Sequence, residues 1–437
     1  VHARLLTDRA ATGPGTAPGD DLDDRGASQV PAAAGLPGRA SALRELLARP
    51  LTPYYLIVGI TTLLLALGLV MVLSTGSIQD LTHGLSPYTD FIKQLIGMLV
   101  AIPVSWLAAR SSPRLFRAAA YPLLAVSIIG LGLTFIHGVS RETNGATRWI
   151  PIGPVEFEPS ELAKLALVLW GADLLARKEK LRLLSDWRHM LIPLVPVTGL
   201  LAMLVIAGKD LGTTCIIVII FLALLWVAGA PGRVFTLMLI AMGIVLLFLL
   251  VAAPYRVERL TAFLHPAANV STSNYQPYHG LVAVGSGGLF GEGLGAGGSK
   301  WGLVPEDSSD YIFAIIGQEL GLVGTLCVTA LYGLLGYAGL RVARSAEDTF
   351  SRLAASAITI WVTMQAVVNM GAVIGLLPVT GIPLPLVSEG LSSLLVTMVA
   401  LGMLMSFARR APGAREALAA RRPGVSGAGE SGSAARG

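Results

Sequence analysis

GSGGLFGEGLGAGGSKWGLVPEDSSDYIFAIIGQELGLVG, residues 285–324, changes character at Asp310. Ahead of that residue runs a glycine-rich loop carrying Lys300, Glu306 and Asp307, and behind it an apolar stretch begins at once. Charge set against hydrocarbon is costly to keep unless it handles a substrate there. The stretch therefore reads as a membrane helix with a working polar loop at its mouth, and Asp310 as the working residue.

The rest of the chain supports a membrane reading. Its 437 residues are 54% hydrophobic and 14% charged, with a mean hydropathy of +0.69, well off the balance of a soluble domain. A bilayer core takes about 20 apolar residues per helix. Ten stretches qualify, near 54–73, 91–109, 118–136, 160–175, 191–207, 213–228, 235–253, 311–338, 353–376 and 391–407. The expected fold is an all-α integral membrane protein of about ten transmembrane helices, with a large extracytoplasmic loop between the seventh and eighth.

Lys and Arg set the orientation, because short loops rich in them stay cytoplasmic. Arg39, Arg44 and Arg49 precede the first span. Arg110, Arg114 and Arg117 follow the second, Arg177, Lys178, Lys180 and Arg182 the fourth, Arg233 the sixth, Arg341 and Arg344 the eighth, and Arg409 and Arg410 the tenth. Both termini are thus expected inside. Residues 1–50 and 411–437 lack apolar periodicity and read as disordered cytoplasmic tails around a membrane domain at 51–410. No cleavable signal peptide is visible, so the first span is expected to stay as an anchor.

Topology accounts for the net charge of +5, and nucleic acid is not an expected partner. Cys215 and Cys327 both fall in apolar spans, which argues against a disulfide framework or a thiolate metal site. Function is expected instead in the outer loops 137–159, 254–310 and 377–390, since long loops on a rigid frame are where it usually sits. The run LPVTGIPLPLVSEGLSS from Leu377 to Ser393 has three prolines. It reads as a re-entrant segment, tolerated at membrane depth only where protein buries it or it lines a cavity.

Several side chains are candidates for binding. Glu161 and Lys164 stand three residues apart on one helical face. They read either as a self-neutralised ion pair with Lys164 reaching for the interface, or as a charged floor for an anionic headgroup. Arg148 and Trp149 join a guanidinium suited to phosphate with a ring suited to the interface or a sugar face. Asp210 reads mainly as a helix cap. Arg256, Glu258, Arg259 and Lys300 give the large loop cationic character suited to a diphosphate-bearing lipid. GSGGLFGEGLG neither follows a strand nor ends in Lys-Ser/Thr, so it is not a nucleotide loop. Asp310 can be a cap for the eighth span or a general base; beside Tyr311, Ile312 and Phe313 its pKa is expected to rise.

Taken together, NGATRWIPIGPVEFEPSELAKLALVLW, DLGTT, YRVERLTAFLHP, Tyr275-Gln276, VAVGSGGLFGEGLG, SKWGLVPEDSSDYIFAIIGQELGLVG and LPVTGIPLPLVSEGLSSLL resemble, in order, the SEDS family. Its members are the polytopic peptidoglycan polymerases of shape, elongation, division and sporulation typified by FtsW and RodA. The resemblance covers residues 54 to 410 and leans to the division branch. It implies a peptidoglycan glycosyltransferase that polymerises lipid II at the outer face of the bacterial cytoplasmic membrane, in septal synthesis.

By that resemblance Asp310 is the catalytic residue, and Glu161 and Lys164 belong to the same cavity. Arg148, Trp149, Arg256, Gln276, Lys300 and Glu306 complete the candidate substrate-binding set. Implied partners are lipid II, membrane lipid, a class B penicillin-binding protein with transpeptidase activity, and other divisome proteins. No cofactor is required by the spacing of the residues; a divalent cation, magnesium or manganese, is a candidate through Glu306 and Asp307. The chain departs from the family pattern at Asp307-Ser308-Ser309, Gln318 and Ser388-Glu389-Gly390-Leu391. Two rival readings are a lipid II transporter using the same cavity, and an inactive scaffold that recruits a penicillin-binding protein.

Overall fold

The computed structural model describes residues 49–417, except 83, 85, 137, 144–145, 154, 183–186, 252–262, 264–273, 299–307 and 415. Within it, ten long helices occur where ten spans are expected. They are α1 (Thr52–Thr82), α2 (Thr89–Arg110), α3 (Pro113–Leu133), α4 (Pro159–Lys180), α5 (Trp187–Ala207), α6 (Leu211–Val227) and α7 (Gly232–Val251), then α9 (Ile312–Arg344), α10 (Thr349–Val373) and α11 (Leu391–Arg410). A shorter helix, α8 (Tyr275–Ser286), lies within the large loop.

Local chemistry sets several boundaries. Ser112 caps α3 by accepting from Leu115 N, with Pro113 in the first turn, where its missing N–H costs nothing. Asp210 caps α6 through Thr213 N at 2.9 Å, and Asp348 caps α10 through Ser351 N at 2.9 Å. The capping reading of Asp210 holds.

Seven helices, α1, α2, α3, α5, α9, α10 and α11, contain stretches long and apolar enough to cross a membrane on composition alone. α4 falls short of that measure because Glu161, Lys164, Asp173 and the basic last turn lie within it. Those charges are largely paired inside the bundle. α10 and α11 form the buried centre, whereas α2 and α3 lie at the periphery. Ile96, Leu99 and Leu107 of α2 and Leu237, Ile240 and Ile244 of α7 are more than half exposed, as surfaces facing lipid must be.

Basic side chains close the last turns of α2, α4, α9 and α11, where they complement the helix dipole. At this basic end the sealed carboxylate of Asp173 joins Arg117 and Arg177, each at 2.7 Å, tying α3 to α4. Ala411 and Ala414 pack with Leu51, which extends the ordered chain past α11.

The opposite end carries three features, of which the sequence reading left the first two as loop. Residues 137–159 contain a three-stranded antiparallel sheet in the order β1-β2-β3, with β1 Arg141–Thr143, β2 Ala146–Ile152 and β3 Val155–Phe157. Arg141 pairs with Trp149 and Ile150 with Phe157. The all-α description is therefore correct for the bundle and incomplete for this insertion.

The glycine-rich run has a structural partner. At Gly321 the backbone of α9 leaves helical geometry, with φ 68° and ψ −164°, a region essentially open only to glycine. Such a break strands backbone groups, and the loop meets them. Glu292 N and Gly293 N donate to Gln318 O and Glu319 O at 2.9 and 3.1 Å, while Leu322 N and Val323 N donate to Gly288 O and Leu289 O at 2.9 and 3.2 Å.

The third feature is the proline-rich segment. Its Ile382, Leu384, Leu386 and Val387 are buried, and Tyr332 of α9 donates its hydroxyl to Pro385 O. Gly68 of α1 lies so close that a Cβ there would sit 2.7 Å from Leu386 O. This is the expected re-entrant segment buried in protein, with its polar backbone satisfied from neighbouring helices.

Candidate functional site

The first turn of α4 supplies Glu161 and Lys164. The three-residue spacing brings Lys164 Nζ to 2.7 Å from Glu161 Oε1, with the side chains 0% and 1% exposed. Lys164 does not reach for the interface: α10 covers it. Its Nζ also donates to Gln365 Oε1 at 2.9 Å and stands 5.2 Å from the centre of the Trp361 ring. Gln365 Oε1 accepts from Trp361 Nε1 at 2.9 Å as well, and Gln365 Nε2 donates to Pro383 O at 3.1 Å. The ion pair is thereby fastened to the re-entrant segment. Glu161 Oε2 is buried without a hydrogen-bond partner among the described residues, a costly state for a carboxylate oxygen.

One turn further along α10, Asn369 Nδ2 donates to Ile382 O and to Asp310 O, both at 2.7 Å. The rise over four residues is about 6 Å, so Gln365 and Asn369 present one polar ladder to the segment 382–383. Asp310 lies in the turn that runs from Ser308 to Tyr311, and the N-cap position of α9 belongs to Tyr311. Asp310 thus stands one residue ahead of the N-cap position. The Asp310 carboxylate lies along the re-entrant segment, with Oδ2 3.4 Å from where a Cβ of Gly381 would be.

α8 packs over this point. Its Gly280 approaches the Tyr311 ring so closely that a Cβ would come within 2.5 Å. Gln276 lies half-buried in the first turn of α8, on the element that covers Tyr311.

Arg148 and Trp149 stand on β2. Arg148 Nη1 is 3.5 Å from Asp210 Oδ2, and its guanidinium is 4.8 Å from the Trp149 ring centre. Trp149 is half-buried. Glu158, which the sequence reading passed over, joins this group next to α4. Burial, then the charges of Asp210 and Glu161, push its carboxyl up to about 8, against a hydrogen bond from Ser160 and the charge of Arg148.

A second group of carboxylates adjoins the Asp310 turn. Asp90 N donates to Asp80 Oδ2 at 3.2 Å, and Lys93 Nζ pairs with Asp90 Oδ1 at 2.8 Å. Burial, then the Asp90 charge, raise the Glu389 carboxyl to about 7, with Asp80 adding to the effect; a hydrogen bond with Ser308 and the charge of Lys93 oppose it.

Of the residues singled out in the sequence, Glu161, Lys164 and Asp310 converge on the re-entrant segment, Arg148 and Trp149 form a neighbouring group, and Gln276 stands on α8, which meets Tyr311 through Gly280. Arg256, Lys300 and Glu306 lie outside the described residues. Among the described residues no three His, Cys, Asp or Glu side chains are grouped to hold a metal ion, and the suggested pair Glu306 and Asp307 lies outside them. Gln365, Trp361 and Asn369 were missed. Polar side chains at i and i+4 inside an apolar span are the signal that points to them.

Comparison with known proteins bears on the family and the fold. The sequence model of the FtsW/RodA/SpoVE family, described as cell cycle protein, matches residues 54–412. A Mycobacterium tuberculosis protein named probable peptidoglycan glycosyltransferase FtsW is 41% identical over 419 residues, spanning 94% of this chain and 79% of its own. One of the same name from Halothiobacillus neapolitanus is 35% identical over 346 residues, 78% of this chain and 83% of its own.

Among solved structures, a chain from "Structural coordination of polymerization and crosslinking by a peptidoglycan synthase complex" has a TM-score of 0.65 at 26% identity, over 81% of this chain and 97% of that one. The rod shape determining protein RodA of Thermus thermophilus has a TM-score of 0.58 at 28% identity, over 81% and 96%. The family match over residues 54–412 and the identity to these relatives show that the chain belongs to the FtsW/RodA/SpoVE family.

Proposed function

We propose that this protein is a peptidoglycan glycosyltransferase of cell division that polymerises lipid II, with Asp310 as its general base. The observation that carries the reading is the convergence of the Asp310 turn and the buried Glu161–Lys164 pair on residues 382–383, through Asn369 and Gln365. The relatives' names supply the reaction class.

In this reading the sheet, α8 and the re-entrant segment face outward, both termini are cytoplasmic, and residues 51–410 form the catalytic membrane domain. The lipid tail lies in the outer leaflet with the headgroup over Asp310. The Asp310 carboxylate takes the proton of the acceptor sugar's 4-hydroxyl. That oxygen forms a bond to the anomeric carbon of the donor strand's N-acetylmuramic acid as the bond to undecaprenyl diphosphate breaks. Configuration inverts, and the diphosphate leaves with the electron pair. Cationic side chains compensate its charge; Arg148, already beside the site, is the described candidate, with Arg256 and Lys300 from the large loop. Lys164 is sealed and already paired, so it supports the floor of the site. Gln276, Trp149 and Glu306 are assigned to headgroup contacts.

A class B penicillin-binding protein is the expected partner, in keeping with the related complex that joins polymerization to crosslinking. Transport is disfavoured: beyond Gln365 the buried face of α10 continues as Trp361, Ile358 and Ala354, a poor path for a charged headgroup.

The test is lipid II polymerisation by the purified protein with its transpeptidase partner, comparing wild type with Asp310→Asn at equal folded amounts. Glycan strands from the wild type alone support the reading. Equal strands from both remove Asp310 as base, and strands from neither turn the assignment to transport or scaffolding.

A further inference from the structure

Three consecutive carbonyl oxygens on the turn that carries Asp310 each accept a hydrogen bond from the same side. Ser308 O accepts from Glu389 N at 3.0 Å, Ser309 O from Ser388 Oγ, and Asp310 O from Asn369 Nδ2 at 2.7 Å. The donors are themselves fixed. Ser388 Oγ accepts from Leu384 N at 2.8 Å, and Asn369 Nδ2 also reaches Ile382 O. Because both neighbours of Nδ2 are carbonyl acceptors, the orientation of the Asn369 amide is settled.

The turn needs this support. It follows a long connection, and its backbone dihedrals decide where the Asp310 carboxylate points. Asn369 and Ser388 are 2% and 5% exposed, so both donors are held inside the protein and their bonds to the turn are part-buried. Gly381 lines the carboxylate itself, so one segment supports both the backbone and the side chain.

We infer that Asn369 and Ser388 are positioning residues for the glycosyl transfer: they aim the Asp310 carboxylate without touching substrate. This inference rests on the reading of Asp310 as the base. Misplacing a reacting group by about 1 Å can cost on the order of a hundredfold in rate.

The test is steady-state polymerisation, in the same assay with the partner present, by Asn369→Ala and Ser388→Ala, each normalised to folded protein by size-exclusion chromatography in detergent. The expected result is a fall in kcat of about 10- to 100-fold with KM for lipid II within about twofold of wild type. On the Asp310→Asn background, Asn369→Ala should lower the residual rate no further, since the group it aims is gone. Ser388→Ala removes the bond to Ser309 O together with the one from Leu384 N, and serves where Asn369→Ala folds poorly. A loss of folded yield with unchanged kcat per folded molecule overturns the inference, as does a rise in KM alone. An inactive Asp310→Asn beside a fully active Asn369→Ala sinks only the positioning role, whereas a fully active Asp310→Asn removes the base and this inference with it.

Discussion

Glu161 and Lys164 form an ion pair at 2.7 Å that solvent does not reach, and one oxygen of the pair, Glu161 Oε2, has no hydrogen-bond partner among the described residues. Removing one charge from such a pair strands the other. Lys164→Met should cost about 3–5 kcal/mol of stability, read as a lower melting temperature in detergent. Glu161→Gln/Lys164→Met should recover much of that loss, because neither charge is then stranded. A double variant as unstable as the single one would contradict this account.

Glu389 should make stability depend on pH. Its folded pKa of about 7 lies above the ordinary 4.5, so folding favours the protonated form. That contribution is fully present below about pH 4.5 and is lost as pH rises through about 7. Glu389→Gln keeps a neutral side chain throughout. Its melting temperature should therefore fall less than that of the wild type between pH 5 and pH 8, and parallel profiles would show that Glu389 does not titrate in this range.

The junction between α9 and the glycine-rich loop should tolerate no side chain. Gly321→Ala forces a Cβ into a backbone region that costs about 1–3 kcal/mol and places it 2.4 Å from Gly291 N. Gly291→Ala drives a Cβ to 2.1 Å from Glu319 O. Both variants should lose folded protein in fluorescence-detected chromatography. Gly298→Ala, on the same loop with nothing among the described residues within 4 Å, should not.

Asp210 has two separable roles. Asp210→Ala should cost about 1 kcal/mol through the lost α6 cap, whereas Asp210→Asn retains a capping acceptor and loses only the ion pair with Arg148. Either change removes a charge that raises the Glu158 pKa. Infrared titration of the carboxyl band should therefore show Glu158 ionising at a lower pH in Asp210→Asn than in the wild type.

Hydropathy reveals the ten-helix frame because a span is a local property: about 20 apolar residues declare themselves without neighbours. α4 is recognisable in spite of Glu161, Lys164 and Asp173 because its remaining face is apolar. The sheet escaped notice although Asn144-Gly145, a strong hairpin signal, stands between Arg141–Thr143 and Ala146–Ile152. Three short strands between two spans carry too few apolar residues to stand out beside them. Asp310, Glu161 and Lys164 were legible as charges in costly places. Gln365 and Asn369 were not, since averaging over a span hides two polar residues and their acceptors, Pro383 O, Ile382 O and Asp310 O, belong to other segments. The glycine-rich run likewise yields its role only beside the break at Gly321, which becomes apparent once both are folded.

The link between Lys164 and Gln365 spans 201 residues of sequence, and this bears on biogenesis. α4 leaves the ribosome long before α10 exists. Glu161, one turn away, lets it enter the bilayer already neutralised, while the last bonds to the ammonium wait for the ninth of the ten spans. Insertion and completion of the site are thus separate events: a chain halted before α10 can be fully integrated in the membrane and still lack the helix that joins its two charged centres.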